Sequence, residues 1–460
     1  MLFNSLTFGV FFALLLPAYF ALRDRLRAQN ALLLVASYLF YGWWDWRFLG
    51  LVAASTGVDF LAARAIADGP AERRKAWLFA SLAMNLGALG VFKYFDFFSE
   101  SMVALLESIG LHPDPVLLEV TLPVGISFYT FQTLSYTIDV YRGQAKPCRR
   151  IDDFALFVSF FPQLVAGPIE RAPRLLGQIG ALRKFSPGQV EVGTWLIVWG
   201  LFKKMVIADR LAPMVNEAFG MRVSPGLDVL LGALAFTFQI YCDFSGYTDI
   251  ARGIAKVLGF DLSLNFRIPY LALSPSDFWR RWHISLSSWL RDYLYISLGG
   301  NRGGKSKMYR NLLLTMLLGG LWHGAAWNFV LWGLYHGLLL ILYRPFEARV
   351  RQMPWLAWPV MFVFTVIGWI IFRAPDMESL TWMFANLGVM PSASSVRTAV
   401  KVLGLISPLL IAWFFQGRSG DLTIVHRLPL WARILLYVGV ALLIAIYGMR
   451  NQTEFIYFQF

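Results

Sequence analysis

The chain has 460 residues, 57% of them hydrophobic and 16% aromatic, with only 15% charged and a mean hydropathy of +0.56. A soluble protein of this length carries about 25% charged residues, so the composition excludes a soluble multidomain protein and describes a polytopic, all-α membrane protein, one integral-membrane domain over residues 1–460. The formal net charge of +13 does not point to nucleic acid, because the cations fall in short loops between apolar runs, where orientation in the bilayer accounts for them.

Met1 to Leu22 is uncharged and long enough to cross a hydrocarbon core of about 30 Å. The basic cluster Arg23, Arg25, Arg27 follows this run rather than preceding it. That order predicts a first span rather than a cleavable leader, with the N-terminus on the periplasmic side and the first loop in the cytoplasm. Further spans are expected to begin at Ala31, Phe48, Trp77, Leu122, Val192, Val229, Asn311, Leu331, Ala357, Lys401 and Trp431. Together they make about ten to twelve crossings or half-crossings. The clusters Arg73, Arg74, Lys75 and Lys146, Arg149, Arg150 then fall on the same side as the first one.

Phe154 to Ile169 is short, apolar and interrupted by Pro162 and Pro168, which predicts a broken or re-entrant helix. Irregular backbone at membrane depth survives only under protein or beside a wet cavity, so the segment hints at an internal channel. Asp243 and Asp249 lie in an otherwise apolar region, where the expected duty is pairing with buried arginines or lining a polar passage.

From Leu262 to Leu298 the pattern changes. Ser274-Pro275-Ser276-Asp277 offers a helix cap and a proline suited to a first turn. Trp279, Trp282, His283, Leu286, Leu290 and Tyr293 then follow helical spacing on one face, with Arg280, Ser287 and Arg291 on another. The expectation is one interfacial helix, with His283 on its aromatic side.

Asn311 to Tyr343 contains no Asp, Glu, Lys or Arg. As one helix it would extend about 50 Å at 1.5 Å per residue, too long for one crossing. A break is predicted around Gly319-Gly320 and Gly324, which puts His323 at the junction. An imidazole at this depth reads as a functional site facing a protein interior or cavity; the structural alternative is a neutral histidine hydrogen-bonded between helices. Gly333 and Gly337 form a small-residue face beside His336, for which an interhelical hydrogen bond is expected.

Gly299 to Ser306 matches the Walker A spacing, but an interfacial helix precedes it and a membrane segment follows, so it reads as a basic cytoplasmic loop rather than a nucleotide site. Cys148 and Cys242 are not placed for a disulfide, and no metal-binding spacing occurs. What remains is His323, His283 and a basic, aromatic surround. That set suits acyl transfer, with a histidine taking the proton of an acceptor hydroxyl as it attacks a thioester carbonyl.

Asp277-Phe278-Trp279-Arg280-Arg281-Trp282-His283-Ile284-Ser285-Leu286, Leu298-Gly299-Gly300-Asn301-Arg302 and Leu321-Trp322-His323-Gly324 resemble the core of the membrane-bound O-acyltransferase family, a core segment spanning 262–345. Pro123 to Tyr129, Gln163 to Arg171, Asp243 to Ala251 and the C-terminal Phe455 to Phe460 resemble its bacterial branch that acetylates exported polysaccharides such as alginate. The resemblance implies a ring of membrane helices around a central tunnel, with His323 as the principal catalytic residue and His283 as the second signature polar residue. Trp322, Asp243, Arg280, Arg281, Asn301 and Arg302 form the candidate substrate-binding set.

The resemblance further implies acetyl-coenzyme A as cytoplasmic donor, no permanently bound cofactor and no metal. It implies an inner-membrane location and a periplasmic partner of the SGNH-hydrolase type that completes transfer to the polysaccharide. Relatives that transfer D-alanine to teichoic acids, or acetyl groups to peptidoglycan or cellulose, are the near alternatives. A secondary transporter or flippase would share broken helices and midplane polar groups, but no inverted repeat is visible. A purely structural scaffold would leave His323 unexplained.

Overall fold

The computed structural model describes residues 1–165, 167–449 and 455–456. Ala166 of the Gln163 to Arg171 motif and residues 457–460 of the C-terminal motif lie outside the described residues. The described residues are helical, and the one β-type pairing among them is a parallel bridge between Gly226 and Leu387. The chain divides into two compact units, residues 1–189 with 254–263, and residues 190–253 with 264–460.

The first unit contains α1 (Leu6–Ala21), α2 (Leu26–Gly42), α3 (Leu49–Asp68), α4 (Arg74–Leu89), α5 (Phe95–Ser108), α6 (Ile126–Tyr141), α7 (Ile151–Ser159), α8 (Phe161–Leu164) and α9 (Ala172–Ile179). Helix α1 starts where Ser5 accepts the Phe8 amide at 3.1 Å, the usual device for satisfying a first-turn donor. The polar residues of these apolar helices serve each other. Asp59 on α3 accepts from Asn85 on α4 at 2.8 Å, from Thr137 on α6 at 3.3 Å, and from Ser81 on α4. Buried polar groups need such partners, and this knot fixes the register of three helices. The expected break in Phe154 to Ile169 occurs at Phe160, whose extended ψ of 106° separates α7 from α8.

The second unit contains all but the first turn of α10 (Pro187–Phe202), α11 (Asp209–Phe219), all but the last turn of α12 (Leu227–Val257), α13 (Pro275–Arg281), α14 (Ile284–Trp289), α15 (Lys305–His323), α16 (Trp327–Tyr343), α17 (Glu347–Arg351), α18 (Pro354–Arg373), α19 (Met377–Asn386), α20 (Ser395–Ser419) and α21 (Leu430–Tyr447). All twelve expected spans coincide with helices. By length and composition, seven helical segments of the described residues are able to cross a membrane; α1, for instance, is apolar but only 16 residues long.

Glycines set the closest helix contacts. A Cβ on Gly200 of α10 would lie 2.6 Å from the Gly246 carbonyl of α12, and one on Gly253 would lie 2.5 Å from the Gly193 carbonyl. The two helices thus meet backbone to backbone at glycines one heptad apart, the small-residue packing typical of membrane helices. Helices α15 and α16 form an antiparallel hairpin by the same means. A Cβ on Gly333 would stand 2.4 Å from the Met316 carbonyl, and one on Gly320 would stand 2.2 Å from the Phe329 carbonyl. The uncharged run therefore breaks as expected, but at Gly324, whose backbone is extended. Gly319 and Gly320 are not hinges: they lie inside α15 and are buried.

Candidate active site

The single interfacial helix expected from Ser274 onward is two helices. Ser274 caps α13 as expected, accepting the Asp277 amide at 3.1 Å. The helix stops at Trp282, and His283 adopts the left-handed conformation, φ 42° and ψ 55°, before α14 begins. A neighbouring segment imposes the bend. The Asn265 carbonyl accepts the Ile284 amide at 3.0 Å, while Asn265 Oδ1 accepts the Ser285 amide at 3.1 Å and its hydroxyl at 2.7 Å. Asn265 thus supplies from outside the cap that α14 lacks in its own sequence.

The bend turns His283 inward. It is fully buried in the protein, and burial pushes its pKa from 6.5 down to about 3, which keeps the ring neutral. Strained backbone of this kind concentrates at functional sites.

His323 ends α15 and is 4% exposed. Its ring meets Trp322 at 5.0 Å, Trp332 of α16 at 5.0 Å and Phe372 of α18 at 5.5 Å, all edge-on. The Trp322 ring in turn lies 6.0 Å from His283, so one indole joins the two histidines. Phe244 of α12 also meets His283 edge-on, at 4.7 Å.

Asp243, one residue before Phe244, belongs to a buried ion cluster. Lys204 reaches Asp243 at 2.6 Å and Asp209 at 2.8 Å, and none of the three side chains exceeds 2% exposure. Lys203 reaches Asp249 at 2.6 Å and the Ser245 hydroxyl at 2.9 Å, and Arg252 approaches Asp249 at 3.3 Å. The two carboxylates are paired as expected, but chiefly with lysines rather than arginines. A π-helical stretch, Lys203–Ala208, carries these lysines, and such bulges mark functional sites more often than chance. The Ile456 amide donates to Asp243 at 2.8 Å, and the Phe455 ring rests 4.4 Å from Tyr247. This seats the described part of the C-terminal motif on α12.

The other candidates stand apart from the histidine rings. Arg280 is 60% exposed and 3.8 Å from Glu347. Arg281 pairs with Asp277 at 2.9 Å. Asn301 is exposed and accepts the Tyr295 hydroxyl at 2.6 Å, and Arg302 is exposed nearby. A helix rather than a strand–loop–helix unit flanks this glycine loop, so the nucleotide reading fails on structure as on sequence. Both cysteines are free. Among the described residues no side-chain cluster has the makings of a metal site.

His336 also departs from expectation. No described residue hydrogen-bonds its Nδ1; the ring instead packs among aromatic side chains. Lys203, Lys204 and Asn265 were not anticipated. The lysines had a signal, two consecutive cations inside the apolar run from Val192 to Ala208. Asn265 had none.

Comparison with known proteins matches residues 150–377 to the model of the membrane-bound O-acyltransferase family. A probable alginate O-acetylase of Azotobacter vinelandii is 44% identical, over 84% of this chain and 78% of its own length. A probable alginate O-acetylase of Pseudomonas aeruginosa is also 44% identical, over 91% and 82%. A peptidoglycan O-acetyltransferase of Helicobacter pylori is 37% identical, over 92% and 83%.

Proposed function

The chain belongs to the membrane-bound O-acyltransferase family, and on that footing we propose that it moves an acetyl group from cytoplasmic acetyl-coenzyme A toward an exported, alginate-like polysaccharide. That it is a membrane acyltransferase follows from the family. We propose likewise a periplasmic SGNH-type partner that completes the transfer, an inner-membrane location and a periplasmic N-terminus.

The observation that carries the reading is His323 at the turn of the α15–α16 hairpin, buried and joined through Trp322 to His283. Arg302 precedes α15, Lys305 and Lys307 begin it, and Arg344 follows α16, so the basic ends of the hairpin lie together about 27 Å from His323 at 1.5 Å per residue. The positive-inside rule assigns that end to the cytoplasm, where basic loops suit a phosphate-rich coenzyme. The thioester end of the donor reaches inward to His323.

There the His323 imidazole takes the proton from an acceptor hydroxyl. The hydroxyl oxygen forms a bond to the thioester carbonyl carbon, the carbon–sulfur bond breaks, and the proton passes to the departing thiolate. General-base help of this kind is worth about a hundred- to ten-thousandfold. Neutral His283 orients the donor or acceptor, and no metal or resident cofactor is required.

Thiol release from acetyl-coenzyme A by the purified chain, wild type against His323→Ala, tests this with and without an alginate oligosaccharide. Release that disappears in the variant supports the reading. Equal release by both proteins at equal protein level removes His323 from the chemistry. No release by a folded wild type would turn the search to a carrier-protein donor, and a peptidoglycan acceptor is the next to try given the Helicobacter pylori relative.

A further inference from the structure

The steps above make no use of a cleft of about 690 Å³ in the first unit. Small-molecule sites run to roughly 300–1,000 Å³, so the space is ample for a guest. Arg47 and Glu119 both border it, together with Phe48, Leu51, Phe92 and Thr121. One cation and one anion thus share an opening with an apolar wall.

The depth of the cleft in the bilayer follows from the helix that carries it. Trp46–Asp68 is a helical segment able to cross a membrane, and Arg47 stands at its start, at the end away from the cations Arg73, Arg74 and Lys75. Ala54, also at the cleft, lies about two helical turns further in, or about 10 Å. That is the depth at which headgroups give way to acyl chains. Trp43, Trp44 and Trp46 are exposed beside the opening, as aromatic side chains at a membrane interface are. Trp44 stacks on Phe48 at 5.4 Å, and Phe48 meets Phe92 edge-on at 6.1 Å, so this belt continues into the wall of the cleft. Phe92 belongs to a π-helical stretch, Gly90–Tyr94, between α4 and α5, a distortion frequent at functional sites.

Two observations point to what the cleft holds. Gly50 borders it, and a Cβ there would meet no atom within 4 Å. Unlike the glycines between α10 and α12, it admits no neighbouring helix and leaves open space beside the backbone. The second observation is the charge. Asp45 accepts from Arg47 Nε at 3.0 Å and from Nη2 at 2.6 Å, which fixes the guanidinium and leaves Nη1 to donate elsewhere. Glu119 has no hydrogen-bond or ion-pair partner among the described residues, and its backbone is held left-handed at φ 48°. A phosphate accepts well from a guanidinium, and an ammonium donates to a carboxylate. An anionic sugar would instead meet Glu119 with Arg47 already neutralised by Asp45, and would leave the apolar wall uncovered.

We propose that this cleft binds one phospholipid with a zwitterionic, primary-ammonium headgroup, its phosphate on Arg47, its ammonium on Glu119 and an acyl chain against Leu51, Ala54 and Phe92. The site is independent of the acyl-transfer reading.

Native mass spectrometry of the full chain in detergent, exchanged against phosphatidylethanolamine or phosphatidylglycerol, counts the lipids kept by wild type, Gly50→Leu and Glu119→Gln. Wild type should keep one phosphatidylethanolamine more than Gly50→Leu, whose added side chain occupies the cleft, and the two should melt alike in lipid-free detergent. Glu119→Gln should bind phosphatidylethanolamine about fivefold more weakly, the upper worth of one exposed ion pair, and phosphatidylglycerol no more weakly than wild type does.

Equal lipid counts in wild type and Gly50→Leu overturn the proposal. So does a wild type that prefers neither headgroup, or a retained lipid that an alginate oligosaccharide displaces, since that assigns the cleft to the saccharide. If Gly50→Leu melts below the wild type, the exposed Glu119 decides alone, and unchanged phosphatidylethanolamine binding by Glu119→Gln overturns the site.

Discussion

Replacing Asn265 by alanine should leave the protein folded and disable transfer. Asn265 Oδ1 accepts two buried hydrogen bonds from Ser285, to the amide at 3.1 Å and the hydroxyl at 2.7 Å. Each is worth about 1 kcal/mol net and about 1–3 kcal/mol when its partner is left buried and unsatisfied, so about 2–6 kcal/mol is lost at the start of α14. Left-handed backbone costs a residue with a side chain about 1–2 kcal/mol. The loss therefore exceeds the strain that Asn265 holds in place at His283. Once released, His283 relaxes and its ring leaves Trp322 and Phe244. A misplacement of about 1 Å in a reacting constellation costs about a hundredfold, which is the expected fall in turnover. Asn265→Asp keeps an acceptor oxygen at a helix N-terminus, where a carboxylate is favoured, and should stay within about tenfold of the wild type on the same scale. The assay is acetyl transfer by purified variants at matched melting temperature, with Asn265→Ala measured alone and combined with His283→Ala. If the residues act as one unit, the double variant loses little more than His283→Ala alone. Wild-type turnover by Asn265→Ala, or fully additive losses, would refute the reasoning.

Two further outcomes follow from the same region. Lys204→Met leaves Asp209 and Asp243 buried without their shared cation; breaking a buried pair costs about 3–5 kcal/mol, so a clear drop in melting temperature is expected. Adding Asp209→Asn and Asp243→Asn should restore much of it, and a Lys204→Met chain that melts like the wild type refutes the pairing. The second outcome concerns pH. With the His283 pKa held near 3 against 6.5 when exposed, the unfolded chain takes up a proton that the folded chain refuses. The stability His283 contributes as a neutral ring is complete above pH 6.5 and is lost as the pH falls toward 3. Melting temperatures should decline across that window and decline less in His283→Phe; identical curves would show that the ring is not held neutral.

Much of the arrangement was legible because it rests on local pattern. The uncharged run from Asn311 to Tyr343 is too long for one span, and Gly324 breaks it where the backbone must turn. His323 therefore lands at the hairpin turn for reasons present in the sequence. The bend at His283 was hidden because Trp279, Trp282, Leu286 and Tyr293 keep helical spacing straight across it. What stops the helix is Asn265, whose carbonyl and side chain take over the first amides of α14. Tertiary hydrogen bonds override a periodic pattern there, and no residue inside the helical repeat announces it. The hydrogen bond expected of His336 failed for a related reason: Gly333 and Gly337 bring α15 close to α16, but the imidazole lies among rings that offer it no acceptor.

The charge distribution links these points. Lys203, Lys204 and Arg252 set three cations against Asp209, Asp243 and Asp249, so the cluster on the π-helical stretch, α11 and α12 is electrically balanced. The formal net charge of +13 therefore arises outside it, from residues such as those of the basic loops, and can orient the chain in the bilayer without placing an uncompensated charge in this cluster. The balance also bears on the site. Asp243 is held by Lys204 and the Ile456 amide, and the next residue, Phe244, packs on both His283 and Phe455. A shift of the carboxylate would move the Phe244 ring that packs on His283. The ion cluster is thus a second anchor of His283, acting from α12, as Asn265 is the first, acting on α14.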